Sequence, residues 1–269
     1  MPRISVIMGI YNCASTLQEA LDSLYAQTYQ DFEIILCDDG SKDNTYEVAL
    51  ENQHHHANIV LLRNEHNQGL NVTLNKCLDV ARGEYIARMD GDDISMPTRF
   101  EVELEFLEEH PEYAVVSTPC TYFDENGIFR IGKGNGEVKP KDFLFRSPVS
   151  HAPCMARAEA FKFVKGYTVD ERLLRVEDYH LWFKLYNAGY KLYQMHESLY
   201  MMRDDRNARR RRTWKNRRNE FYVKWIGYPM VGLPWYSRIH CFRPIIIGLL
   251  PTILYEKVRR SAWMRRIFK

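Results

Sequence analysis

The stretch GEYIARMDGDD, residues 83–93, runs a short apolar segment straight into three carboxylates, Asp90, Asp92 and Asp93, with one glycine among them. Like charges this close repel, so a cation or abundant water has to offset them. One reading makes DGDD a solvated turn, because Asp and Gly both favour turn geometry. The other makes Glu84 to Met89 a strand that delivers a metal site. Side chains two apart in an extended segment point the same way, which puts Asp90 and Asp92 together. Hard oxygen ligands of this kind suit Mg or Mn, with open positions left for water or phosphate.

The flanking sequence decides between them. Apolar runs at Ile4 to Met8, Glu33 to Cys37, Ile59 to Leu62 and Tyr85 to Met89 alternate with helical patterns at Thr16 to Thr28, Asn44 to Asn52 and Asn71 to Val80. Strand and helix in alternation predict an α/β fold, a mainly parallel sheet with helices on both faces. Ligands of such sheets gather at the carboxyl ends of the strands. Three strands end there in polar, nucleotide-suited runs: Gly9-Ile10-Tyr11-Asn12, Asp38-Asp39-Gly40-Ser41 and DGDD. Further on, the patterns predict a helix over Arg99 to His110, a strand over Tyr113 to Ser117, and a hairpin or mobile loop over Asn126 to Lys141. In RVEDYHLWFKLYNAGY, Leu181, Trp182, Leu185 and Tyr186 form a helical stripe that reads as core. Glu177 and Asp178 start that helix, where its dipole favours an ionised carboxylate, as a cap or as a general base.

The 269 residues are 45% hydrophobic and 27% charged, enough for one sizeable core or two modest ones and not a disordered composition. Six scattered cysteines show no C-x-x-C spacing, which argues against a disulfide scaffold or zinc site and for a reducing, cytoplasmic setting. The apolar run after Met1-Pro2-Arg3 is too short for a signal peptide. His54-His55-His56 reads as a solvated helix end or loop. The net charge of +2 conceals an asymmetry: residues 203–269 hold 18 Lys+Arg against 4 Asp+Glu, and the first 202 hold 19 against 31. An acidic catalytic body, residues 1–202, joined to a basic extension, residues 203–269, follows from that division.

The run ISVIMGIYNCASTLQEALDSLYAQTYQDFEIILCDDGSKDNT, then NQGLNVTLNKCLDVARGEYIARMDGDD, then VEDYHLWFKL, resembles the family 2 glycosyltransferases, inverting nucleotide-sugar enzymes of GT-A fold, across roughly residues 3–200. The resemblance implies that Tyr11 and Asp39 line the nucleoside, the carboxylate accepting from a base N–H, most often of uracil. It implies that Asp90 and Asp92 are the DXD pair, with Asp92 carrying the metal more directly and Asp93 supporting it or capping the next helix. Asp178 is implied as the catalytic base, with Glu177 next in line. The first loop departs from the family, with Met8-Gly9-Ile10 where many relatives have a proline or threonine before the tyrosine. His151 in SPVSHAPCM could face donor phosphate or sugar, but a packed core histidine is an equal reading, and it stays outside the catalytic set.

The expected function is transfer of a hexose or N-acetylhexosamine from a UDP-sugar to a saccharide acceptor, lipid-linked, in bacterial surface polysaccharide synthesis. Two rivals are a metal-dependent nucleotidyltransferase, which leaves the acid of VEDYH without a role, and a catalytically silent membrane-bound scaffold, against which the intact Asp39, Asp92 and Asp178 argue. The arginine-dense RDDRNARRRRTWKNRRNEFYVKW suits an anionic membrane surface, and no nucleic-acid recognition motif accompanies it. PIIIGLLPTILYEKVRR is too short to span a bilayer, which takes about 20 apolar residues. It reads as an interfacial anchor on the inner face of the membrane with Trp235, Tyr236, Tyr255 and Trp263 at headgroup depth, as a core helix, or as a dimer contact.

Overall fold

The computed structural model describes residues 1–204 and 213–249. Its first half is β1 (Ile4–Ile10), α1 (Leu17–Tyr25), β2 (Phe32–Asp38), α2 (Thr45–His55), β3 (Ile59–Arg63), α3 (Leu70–Val80) and β4 (Tyr85–Arg88). The four strands run parallel in the order β3-β2-β1-β4. β1 and β2 are nearly continuous apolar runs, as strands covered on both faces must be. Alternate side chains divide between two cores. Ile7, Ile35 and Ile86 pack with Leu74 of α3 on one face; Val6, Met8, Leu36 and Ala87 pack with Leu17 and Leu21 of α1 on the other.

The chain continues through β5 (Ile94–Ser95), α4 (Arg99–Glu109), β6 (Tyr113–Ser117), β7 (Cys120–Asp124), β8 (Gly127–Ile131), β9 (Gly136–Glu137), β10 (Met155–Arg157), α5 (Ala158–Phe163), α6 (Glu177–Asn187), β11 (Lys191–Gln194), β12 (Tyr200–Arg203), α7 (Trp214–Met230) and α8 (Arg243–Leu249). β10 enters antiparallel between β4 and β6, and β11 and β9 complete the sheet. A second sheet, β5-β12-β7-β8, stands beside it. Of the two forms expected for 126–141, the hairpin holds for its first part: β7 and β8 pair across a turn closed by Gly127, whose φ of 102° suits glycine. β9 then pairs with β11 of the main sheet.

All six cysteines are free, five of them buried. His54 and His55 are exposed at the end of α2, while His56 stacks on Tyr25 at 3.8 Å. α7 shares the core of the first 202 residues: Val223 and Tyr228 are buried there, and a Cβ on Gly227 would come within 2.3 Å of Phe183 of α6. Among the described residues no helix is long and apolar enough to cross a membrane. The arginines at 206–212, Tyr255 and Trp263 lie outside the described residues.

Candidate functional site

A cavity of about 770 Å³ opens where β1, β2 and β4 end, lined by Tyr11, Asp39, Asp90 and Asp92 among others. The loops around it are clipped together by short polar residues. Asn12, in the left-handed region at φ 49°, accepts from Lys42 N at 2.8 Å, and its own N–H donates to Ser41 Oγ at 3.0 Å. Cys13 N donates to Thr45 Oγ1 at 2.8 Å. Asp39 is 4% exposed and accepts three bonds: from Asn64 Nδ2 at 2.7 Å, Gln68 N at 2.8 Å and Gly69 N at 2.9 Å. Its carboxylate thereby draws the start of α3 to the end of β2. Tyr11, 45% exposed, lines the same cavity.

Asp90, Asp92 and Asp93 present carboxylate oxygens within 4.8 Å of one another. The three are not equivalent. Asp90 is gripped by both terminal nitrogens of the buried Arg88, with Nη1 to Oδ2 at 2.5 Å. Arg99, itself fully buried, donates from Nη2 to Arg88 O at 2.9 Å and from Nε to Glu103 at 3.0 Å, so a second ion pair supports the first. Burial, opposed by Arg99, pushes the Glu103 carboxyl up to about 7. Asp93 is buried and accepts from Arg203 N at 2.8 Å, tying the acidic loop to β12. It supports the cluster and does not cap α4, which begins after Thr98. Asp92 keeps the most open carboxylate, with no side-chain hydrogen-bond donor among the described residues. Burial and then Asp90 raise its pKa above the ordinary carboxylate range; Asp93 is raised further, by burial and both neighbours. An oxygen-only set under mutual repulsion, with one open carboxylate, fits a hard divalent cation.

A second cavity of about 480 Å³ is lined by Asp178, His151, Arg130, Lys133 and Arg146. The two cavities share Arg88, Asp90, Arg175 and Glu177. Asp178 lies in the first turn of α6, where helix dipole and N–H groups were expected to hold it ionised. Its pKa is instead raised: burial outweighs the Tyr179 N–H, Ser147 and Arg88, which all favour the charged form. Glu177 is raised too, by burial and then by Asp178. Such a carboxyl is poised as a proton acceptor nearer neutral pH than a surface aspartate. His151 bonds Tyr167 Oη through Nε2 at 2.8 Å, and burial, then Arg88, hold its pKa well below the ordinary value. It is a neutral imidazole beside the cavity.

Four site residues went unread in the sequence. Arg88 looked like one more strand position, although a charge one residue from an apolar strand's acidic end is itself a signal. Arg175 takes φ 69° at the junction of the cavities, unusual for a long side chain, and nothing local in the sequence marks it. Lys215 and Asn216 of α7 line the larger cavity, so the basic extension also faces the site.

The model of glycosyl transferase family 2 matches residues 5–165. The protein named glycosyltransferase EpsE of Bacillus subtilis (strain 168) is 36% identical over 266 residues, 98% of this chain and 96% of its own. The Escherichia coli UDP-Glc:alpha-D-GlcNAc-diphosphoundecaprenol beta-1,3-glucosyltransferase WfaP is 27% identical over 191 residues, 70% of this chain and 72% of its own. Among solved structures, S. aureus TarS 1–349 in complex with UDP-GlcNAc superposes with TM-score 0.69 at 18% identity, covering 90% of this chain and 70% of that one. Mannosyltransferase PcManGT from Pyrobaculum calidifontis, in complex with GDP-Man and Mn2+, does so with TM-score 0.64 at 19% identity, covering 100% and 81%. These two share the fold of the present chain.

Proposed function

This chain belongs to glycosyl transferase family 2 and is a glycosyltransferase, and from that premise we propose that it moves a hexose or N-acetylhexosamine from a UDP-sugar to a lipid-linked saccharide, with inversion, in surface polysaccharide synthesis. One observation carries the reading: a cavity holding Asp92 and a cavity holding Asp178 meet at Arg88, Asp90 and Glu177. Donor and acceptor enter from the two sides and react at the junction. The UDP-GlcNAc complex of TarS and the lipid-linked acceptor in the name of WfaP support the choice of donor and acceptor.

In this reading Tyr11 and the wall braced by Asp39 take the nucleoside. Asp92, with Asp90 beside it, holds Mn or Mg; the ion, when bound, supplies Lewis-acid stabilisation of the departing diphosphate. Mn2+ in PcManGT supports that assignment. Asp178 removes the acceptor hydroxyl proton while the oxygen bonds to the anomeric carbon and the bond to the diphosphate breaks on the opposite face. Arg88 holds Asp90 in place between the two partners. Proton NMR of the product is the test: an α-linked donor should give a β-linked product, and a retained α linkage would overturn the single-displacement reading.

The C-terminal extension meets an anionic membrane surface in the same proposal. Trp235, Ile239, Phe242, Ile246 and Leu249 recur every three to four residues and are 82, 71, 46, 56 and 70% exposed, while Ser237, Cys241 and Pro244 face the core. Residues 213–249 carry six Lys+Arg against one Asp+Glu. Because Cys241 is in the core, a truncation after His240 would cut into the fold. Trp235→Ser with Ile239→Ser and Ile246→Ser is the cleaner test: flotation with phosphatidylglycerol vesicles should fall at unchanged Tm, and undiminished flotation would place the membrane contact elsewhere.

A further inference from the structure

Resting on the transferase reading above, we propose that the smaller cavity contains a subsite for the diphosphate of an amphiphilic acceptor, formed by Arg130, Lys133 and Arg146. Of the acids here, Asp90 and Glu177 line both cavities and Asp178 the smaller one, which these three cations line without reaching the larger. Among the described residues none of the three forms an ion pair, so the positive charge beside Asp178 is left for a ligand.

Two of the cations are held in place by the backbone and by stacking. The Arg130 guanidinium lies 3.4 Å from the centroid of Tyr122, which is itself only partly exposed. Lys133 sits between glycines pressed onto the sheet. Gly132 N donates to Cys120 O at 2.8 Å, and a Cβ on Gly134 would fall 1.5 Å from Met195 O. Only glycine allows that approach, and it fixes where the lysine emerges. A diphosphate, with several acceptor oxygens and more than one negative charge, answers three cations on one cavity better than a neutral sugar does.

The edge strand β8 adds an apolar contact beside these cations. Phe129, the extra residue of a bulge beside Arg130, is 37% exposed, and its ring lies 6.4 Å from that of Tyr122, on which the guanidinium stacks. A free anion or a soluble saccharide has no use for that surface. An acceptor with a hydrocarbon chain beyond its diphosphate covers it as the headgroup binds.

Calorimetry on the full chain, with the larger cavity saturated by UDP and Mn, tests the subsite using three probes: decyl diphosphate below its micelle-forming concentration, decyl glucoside, and inorganic diphosphate. Decyl diphosphate should bind at least about tenfold tighter than either of the others, with the preference over the glucoside weakening in salt. The combined variant Arg130→Gln, Lys133→Gln, Arg146→Gln should lose that preference, with UDP affinity reporting that it is folded. A preference that survives in the variant, or none in the parent, overturns the subsite. Inorganic diphosphate binding as tightly as decyl diphosphate overturns the amphiphile. Failure of the parent to bind UDP would overturn the transferase reading and the subsite with it.

Discussion

Asp178→Asn is expected to lower turnover by a factor on the order of 10² to 10⁴, the usual contribution of a positioned general base. Nucleotide affinity should stay close to that of the parent, because Asp178 lines the smaller cavity only. Stability should move the other way. Burial raises the Asp178 pKa, so the ionised side chain costs the folded state at neutral pH. Between the ordinary aspartate value of about 3.9 and the raised folded value, its contribution falls as pH rises. An uncharged isostere removes that cost, and Tm should be equal or higher. For the parent, the acid limb of kcat should lie above the ordinary aspartate range, since the base must be ionised to act. Parental turnover by the variant would transfer the role to Glu177, which shares the helix start and the raised pKa.

Asp92→Asn has the second large effect. It removes the most open oxygens of the cluster, leaving Asp90 committed to Arg88 and Asp93 to β12. Turnover should fall by about 10² to 10³, as when one stabilising contact to developing charge is removed from other active sites. The Mn dependence of UDP binding, followed by calorimetry, should be lost with it. Metal-free protein should gain stability, because the substitution relieves repulsion on Asp90 and Asp93. Unchanged Mn dependence would place the ion on Asp90 and Asp93 instead.

The parallel half of the fold was legible because its strands are covered on both faces and therefore written as apolar runs between helical patterns. The same reading placed GIYN, DDGS and DGDD at strand ends, since a parallel sheet brings those ends to one edge. What escaped depends on residues far apart in sequence. β10 enters antiparallel between β4 and β6 and pairs with only two or three residues of each, too little for periodicity to register. Arg88 resembles its strand neighbours until Arg99 and Asp90 are seen around it. The helix start at Asp178 was visible, but its burial was not, and burial reversed the expected direction of its pKa. The arginine-dense segment was read as suiting an anionic surface, whereas α7, which begins within it, packs into the core and brings Lys215 to the larger cavity.

The most direct measurement is release of nucleoside diphosphate from a panel of nucleotide-sugars by the purified protein, with and without Mn. Metal-dependent release of UDP from one UDP-sugar, stimulated by a lipid-linked saccharide, is the expected result. Release of pyrophosphate, or no metal-dependent nucleotide binding at all, would contradict it.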